Sequence, residues 1–161
     1  MANKNQAIGL RPHGELIRVR KYVAGSTVYP GDPVAIATDG QVDSSITVPL
    51  LGVAMNYATV GQDLMVADHP DQMFEVEADE ALVQADVSGN FDLALGTAST
   101  LYKRSAAYLD GSTIATTATL AAKVVAIADG VDNAAGSDNV DVIIKINNHV
   151  LNGGTGTAGL A

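Results

Sequence analysis

Apolar residues alternate with polar residues over many short stretches of this chain, a period that is typical of β-strands with one buried face. The clearest stretch is residues 140–147, where Val142, Ile144 and Ile146 fall on one face. The same pattern predicts strands over residues 16–23, 34–38, 50–56, 63–68, 72–78, 91–95, 106–109 and 117–127. Short strands at this spacing predict a mainly β fold, an antiparallel β-barrel or sandwich.

Turn residues separate the predicted strands. Asp-Gly pairs stand at residues 39–40, 110–111 and 129–130, and the first two are hairpin signals. Residues 81–87 have the pattern of one or two helical turns, and another short helix is predicted around residues 99–107. The predicted fold therefore contains one or two short helices beside the strands.

The chain divides into three predicted parts. Residues 1–15 lack a period and contain two glycines and a proline, which predicts an extended N-terminal arm. Residues 16–149 form the β-rich body, and residues 150–161 form a flexible Gly-rich tail. We expect the arm to be mobile in the free protein and to become ordered on a partner.

Charge is unevenly distributed along the 161 residues. Five basic residues and one acidic residue lie within residues 1–21, a net charge of +4, and the remainder carries −13. An acidic body disfavours nucleic acid, so an acidic protein surface is the expected partner of the basic segment. No apolar stretch approaches the roughly 18 residues of a membrane helix, and no apolar leader is visible, so we expect no membrane partner and a cytoplasmic site of synthesis.

One cluster of residues has the composition of a hydrolytic site. Asp68 and Asp71 flank His69, and Glu75 and Glu77 follow. A small hydrolase would need such carboxylates to converge in a cleft. Asp and Pro are turn residues in their own right, and the two glutamates share a strand face that we expect to be solvated, so an ordinary turn is favoured.

Other candidate chemistry is sparse. The chain has no cysteine, and His13, His69 and His149 lack the spacing of metal ligands. The glycines of residues 154–159 match a dinucleotide-binding motif, but no helix follows them. The sequence therefore predicts no catalytic residue, no metal site and no cofactor.

Several short motifs occur in a fixed order over most of the chain. They are residues 9–12 (GLRP), 31–34 (GDPV), 51–53 (LGV), 68–76 (DHPDQMFEV), 89–93 (GNFDL), 109–110 (LD), 116–118 (TTA), 132–133 (DN) and 146–149 (INNH). In this order the chain resembles the cement, or decoration, proteins of tailed bacteriophage heads. It departs from the family pattern at residues 130–131, where Arg-Pro is usual, and at His69, which replaces a commoner acidic residue.

The resemblance implies a structural capsid protein and no enzyme. Such a protein is made in the host bacterial cytoplasm, binds the outer surface of the phage head and bridges subunits of the major capsid protein. A homotrimer is expected, with a dimer as the alternative. The residues predicted to bind the capsid are Arg11, Arg18, Arg20 and Lys21. The residues predicted to form contacts between subunits are Leu50, Leu51, Met55, Met73 and Phe74.

Two other functions remain open at this point. One is a virion-associated carbohydrate-binding or adhesin module, for which exposed aromatic side chains are expected. The five Tyr and two Phe of the chain argue mildly against that function. The other is the small hydrolase that would use Asp68 and Asp71.

Overall fold

A computed structural model describes residues 7–152 of the chain. Within those residues the chain forms eleven strands and one short 3₁₀ helix, Gln84–Asp86. The strands are β1 (Arg11–His13), β2 (Arg20–Val23), β3 (Pro33–Ile36), β4 (Val42–Ser44), β5 (Gly52–Ala54), β6 (Asp63–Ala67), β7 (Met73–Glu77), β8 (Asn90–Leu95), β9 (Ala107–Ala115), β10 (Ala122–Ile127) and β11 (Asp141–Ile146). No helix within the described range is long and apolar enough to cross a membrane.

The strands form two antiparallel sheets. Sheet A has the order β1-β7-β11-β10-β8-β9, and sheet B has the order β2-β6-β5-β3-β4. Sheet A curls, so that Leu109 of β9 bridges to Ala78 just beyond β7. The prediction of a mainly β, antiparallel fold is confirmed, and the arrangement is sandwich-like instead of a closed barrel.

Apolar side chains of both sheets meet in one main core. Phe74, Phe91 and Ile144 of sheet A pack there with Leu50 and Val53 from the sheet B region. A second, smaller cluster lies within sheet B and contains Leu51, Leu64 and Val66 among its members. Removing these side chains from water is the main force that holds the sheets together.

Three of the five side chains predicted for subunit contacts lie inside these cores. Leu50 and Leu51 are 0% exposed and Phe74 is 1% exposed. Their side chains present no surface to another subunit, so the prediction is wrong for these three. Met55 is half-buried and Met73 is 37% exposed. For the two methionines the contact stays a prediction.

The described part of the predicted arm belongs to the sandwich. Strand β1 pairs with β7, and Leu10 is almost completely buried. The N–H of Leu10 donates to the carbonyl oxygen of Gly31 at 2.9 Å, and that of Gly9 donates to Ala107 at 3.2 Å. Residues 9–13 are therefore held by the body of the same chain, in contrast to the predicted mobile arm. Most of the Gly-rich tail, from residue 153 onward, and residues 1–6 lie outside the described residues.

Besides the strand predicted over residues 16–23, of which only Arg20–Val23 is strand, three local predictions are wrong. The Asp-Gly pair at residues 110–111 forms no hairpin, because β9 runs through it with a register shift opposite β8. Residues 117–121 are not strand, so β10 begins only at Ala122. The helix predicted around residues 99–107 is replaced by a turn and the start of β9. Side-chain hydrogen bonds explain the first difference, since Asp79 Oδ1 accepts the N–H of Gly111 at 2.8 Å.

Candidate functional site

Two chain segments cross between the sheets along one side of the sandwich. Residues 14–19 join β1, an edge strand of sheet A, to β2, an edge strand of sheet B. Residues 68–72 join β6 to β7, which are the neighbours of β2 and β1. The two crossovers therefore run side by side. We call residues 11–23, which contain both edge strands, the N-terminal rim.

Gln72 fastens the first crossover to the second. Its side chain is buried, and its Oε1 accepts the N–H of Ile17 at 2.8 Å. Its Nε2 donates to the carbonyl oxygens of Glu15 at 3.1 Å and Met73 at 3.0 Å. A buried amide costs free energy unless its polar atoms are bonded, and here both are. Gln72 therefore fixes the path of the rim between the two sheets.

Asp68 organises the basic residues of the rim from below. Its side chain is 0% exposed. Oδ1 accepts a hydrogen bond from Arg18 Nε at 2.8 Å, Oδ2 accepts one from the Tyr22 hydroxyl at 2.5 Å, and Arg20 Nε lies 3.8 Å from Oδ2. A buried carboxylate is tolerated only when it is paired and hydrogen-bonded, and these three side chains meet that requirement. In return, Asp68 holds the guanidinium group of Arg18 by a hydrogen bond and forms a longer ion pair with Arg20.

Tyr22 is a donor at every physiological pH. Burial, the hydrogen bond to Asp68 and the negative charge of that carboxylate together raise the pKa of Tyr22 from 10.0 to about 12. Arg18 and Arg20 act in the opposite direction but do not offset the increase. The phenol therefore keeps its proton and continues to satisfy Asp68.

His149 is a buried polar residue at the end of the body. It is 3% exposed, its Nδ1 accepts the N–H of Leu151 at 3.0 Å, and its Nε2 has no hydrogen-bond partner among the described residues. Burial lowers the pKa of His149 below its ordinary 6.5, although Asp68 and the backbone of Leu51 oppose that change. The ring is therefore neutral near pH 7, and the bridge between His149 and Leu50 fastens the end of the body to sheet B.

The outer face of the rim combines apolar and basic side chains. Leu16 and Ile17 are each 45% exposed, next to Arg18 and Arg20. The Arg20 side chain is 54% exposed and that of Lys21 is 65% exposed. A guanidinium group has five N–H donors, so one that is bonded to Asp68 keeps donors for a partner. The rim therefore offers a partner two apolar side chains and several cationic donors.

The four predicted capsid-binding residues all lie on the rim, and each faces an acidic residue of the same chain. The pairs are Arg11–Glu75 at 3.1 Å, Arg18–Asp68 at 2.8 Å, Arg20–Asp68 at 3.8 Å and Lys21–Asp63 at 3.8 Å. Four of the five basic residues in the first 21 are thus paired with three acids from later in the chain, Asp63, Asp68 and Glu75. The rim is a row of paired charges and not a free basic arm.

The carboxylates considered for hydrolysis have separate partners. Asp68 is buried beneath the two arginines, whereas Asp71 is exposed and accepts a hydrogen bond from Lys145 Nζ at 2.8 Å. That bond and the positive charge of Lys145 lower the pKa of Asp71. Glu77 is 9% exposed, so the expected solvated face is wrong at that position. Among residues 7–152, no group of three acidic or histidine side chains is arranged to hold a metal ion.

Little in the sequence points to the two residues that build this site. Asp68 and Gln72 stand in a polar segment that carries the turn residues Pro70 and Asp71, for which an ordinary turn is the favoured interpretation. The one available signal is that the segment joins two predicted strands, so its ends must approach the core. No protein-family model matches the chain, and no curated protein is significantly similar to it.

Proposed function

We propose that this protein is a decoration protein of a phage head, which lays its N-terminal rim on the outer surface of the major capsid protein and ties neighbouring subunits together. The observation that carries the proposal is the outer face of the rim. There, Leu16 and Ile17 are exposed beside Arg18 and Arg20. Asp68 accepts a hydrogen bond from Arg18 and forms a longer ion pair with Arg20.

Pre-positioned arginines favour binding for an entropic reason. An unrestrained long side chain loses about 0.5–1.5 kcal/mol of rotamer entropy when an interface immobilises it. Arg18 has already lost much of this freedom, because its Nε is bonded to a fully buried carboxylate. A partner that supplies carboxylates or carbonyl oxygens beside an apolar strip therefore matches the rim.

The rim must act through several contacts together. Each exposed ion pair contributes only about 0.2–1 kcal/mol, and salt screens it. Leu16 and Ile17 add an apolar contribution that salt does not weaken. Binding should therefore decrease as salt rises but should not disappear.

Phage shells that lack this protein allow a direct test. Occupancy is measured by titration of the full chain and of two variants, Arg20→Ala and the double variant Leu16→Ser/Ile17→Ser. Lys123→Ala is the matched control, because Lys123 is an exposed base on β10, remote in sheet A from β1. We expect Arg20→Ala to weaken binding up to about fivefold at low salt and less at high salt.

We expect the apolar double variant to weaken binding at both salt concentrations, and the control to bind like the unmodified chain. Deletion of residues 1–15 is a poor test, because it also removes strand β1 and the buried Leu10. If both rim variants occupy shells as fully as the control, the rim is not the attachment surface. If the unmodified chain itself binds no shell, the proposed function is wrong.

A further inference from the structure

A projecting turn presents a second surface of different character. Residues 96–106 join β8 to β9, and at their outer end Leu101 is 78% exposed and Tyr102 is 72% exposed. Lys103 Nζ lies 4.8 Å from the ring centroid of Tyr57, and Arg104 lies 5.7 Å from that of Tyr102. We call residues 101–104 the basic tip. Among the described residues, its two cations lie over aromatic rings and form no ion pair with a carboxylate.

The basic tip stands out against the charge of the rest of the chain. Residues 22–161 contain 17 acidic residues and only four basic ones, and two of those four are Lys103 and Arg104. Of the other two, Lys145 is bonded to Asp71. Large exposed apolar side chains beside unneutralised cations are typical of contact surfaces for acidic partners.

A mainly apolar groove lies between the root of the basic tip and the N-terminal rim. Its volume is about 190 Å³, and its lining includes Leu10, Pro30 and Met55 together with Arg11 and Pro12 of the rim. The N–H of Ser105 donates to the carbonyl oxygen of Pro30 at 3.2 Å, which fastens the root of the tip to this wall. The groove can therefore take an apolar side chain of the same partner that meets the cations.

The acidic loop, residues 129–138, has the complementary character. It carries Asp129, Asp132 and Asp138 and no basic residue. Its Val131, between the first two of these aspartates, is completely exposed. Asn133 holds the loop in shape, since its Nδ2 donates to the carbonyl oxygens of Ala128 at 2.7 Å and Asp141 at 2.8 Å. Val131, between the carboxylates of Asp129 and Asp132, therefore complements the cations of the basic tip and the apolar groove beside it.

The topology places these two surfaces at opposite ends of the strands of sheet A. The basic tip follows the C-terminal end of β8, and the acidic loop follows that of β10. Strands β8 and β10 are antiparallel neighbours, so their C-terminal ends point in opposite directions. We propose that the acidic loop of one copy docks on the basic tip of a second copy, with Val131 directed to the apolar groove and Asp129 and Asp132 beside Lys103 and Arg104.

This contact is heterologous, because it joins two different surfaces. Repetition of such a contact closes into a ring or extends as a chain, whereas a twofold contact between tips would oppose like charges. The inference does not depend on the capsid as partner. It replaces the predicted subunit contact through Leu50, Leu51 and Phe74, whose side chains are buried.

Charge reversal tests the contact in the full chain. One variant is Lys103→Glu/Arg104→Glu, and the other is Asp129→Lys/Asp132→Lys. Lys123→Glu is the control for a change of charge elsewhere. Association is measured by sedimentation equilibrium up to about 1 mM protein, because a small contact of this kind is weak. Circular dichroism confirms that each variant is folded.

We expect the unmodified chain to self-associate and each reversed variant alone to associate at least about tenfold more weakly. An equimolar mixture should associate again, since each variant supplies the surface that the other has lost. The mixture should contain only even-numbered rings or alternating chains. An unmodified chain that stays monomeric, reversed variants that associate like the control, or a mixture that stays dissociated would each overturn the proposal.

Discussion

The substitution Tyr22→Phe removes one hydroxyl group and tests how the N-terminal rim is built. That hydroxyl donates a hydrogen bond to Oδ2 of Asp68 at 2.5 Å, and the side chain of Asp68 is completely buried. After the change, Arg20 Nε at 3.8 Å from Oδ2 is too distant to replace that hydrogen bond. The phenylalanine ring keeps the apolar contacts, so the change isolates the polar contribution.

The magnitude follows from the burial of the acceptor. A hydrogen bond to a charged group contributes about 1.5–3 kcal/mol, and the loss of its donor leaves the buried carboxylate partly unsatisfied. Tyr22 itself is only partly buried, so water relieves some of this cost. We therefore expect the free energy of unfolding to fall by about 2 kcal/mol at pH 7, and the melting temperature by roughly 4–8 °C.

The effect should also depend on pH in a definite direction. The pKa of Tyr22 is raised from 10.0 to about 12 in the folded chain. A raised pKa stabilises the protonated form, so its contribution is complete below pH 10 and is lost as the pH rises toward 12. The difference in stability between the unmodified chain and Tyr22→Phe should accordingly shrink over that window.

Urea unfolding, followed by circular dichroism at pH 7 and at steps between pH 10 and 12, measures both quantities. Tyr102→Phe is the matched control, because that ring is 72% exposed. We expect its midpoint to match that of the unmodified chain. Equal midpoints for Tyr22→Phe and Tyr102→Phe at pH 7 would refute the reasoning, as would a Tyr22→Phe effect that does not change across the alkaline window.

Three further predictions concern packing, backbone space and acid. Phe74→Ala should cost about 3–5 kcal/mol of unfolding free energy, because that ring is in the core, whereas Met73→Ala on the outer face should cost far less; urea midpoints distinguish them. A Cβ at Gly52 would lie 2.0 Å from a carbonyl oxygen of β6, so the Gly52→Ala variant should fail to fold or should melt far below the Gly40→Val variant. Gly40 has a φ of +79°, and a valine held at that angle costs only about 1–2 kcal/mol. Burial lowers the pKa of His149, so the contribution of its neutral ring to the free energy of unfolding is complete above pH 6.5 and decreases as the pH falls below that value. His149→Asn should therefore weaken the dependence of stability on pH in acid. An unchanged dependence would contradict this prediction.

Local chemistry was enough to predict most strands of this protein. Alternation over residues 140–147 corresponds to β11, and residues 63–68, 72–78 and 91–95 correspond to β6, β7 and β8. The hairpin at residues 39–40 is also confirmed, since Gly40 has a φ of +79° and Ala37 and Gln41 are hydrogen-bonded across it. These features depend on neighbours in sequence, so the sequence shows them directly.

Contacts with distant segments decided the structure where it differs from what the local sequence pattern predicts. Residues 11–13 have no period of their own, yet they form strand β1 because β7, 60 or more residues later, offers an open edge. At residues 110–111 the Asp-Gly pair signals a hairpin, but a side-chain bond from Asp79 keeps the chain extended there. No window of local sequence contains these partners.

The sequence by itself determined the composition of the site, and the tertiary structure decided its arrangement. The cluster of Arg18, Arg20 and Lys21 and its separation from an acidic body are visible in the sequence. Only the approach of the two crossovers brings Asp68 to Arg18, 50 residues away in the chain, and Gln72 to Ile17, 55 residues away. The same approach buries residues that looked suited to subunit contacts, because burial depends on which sheet faces which, and that is a property of the whole core.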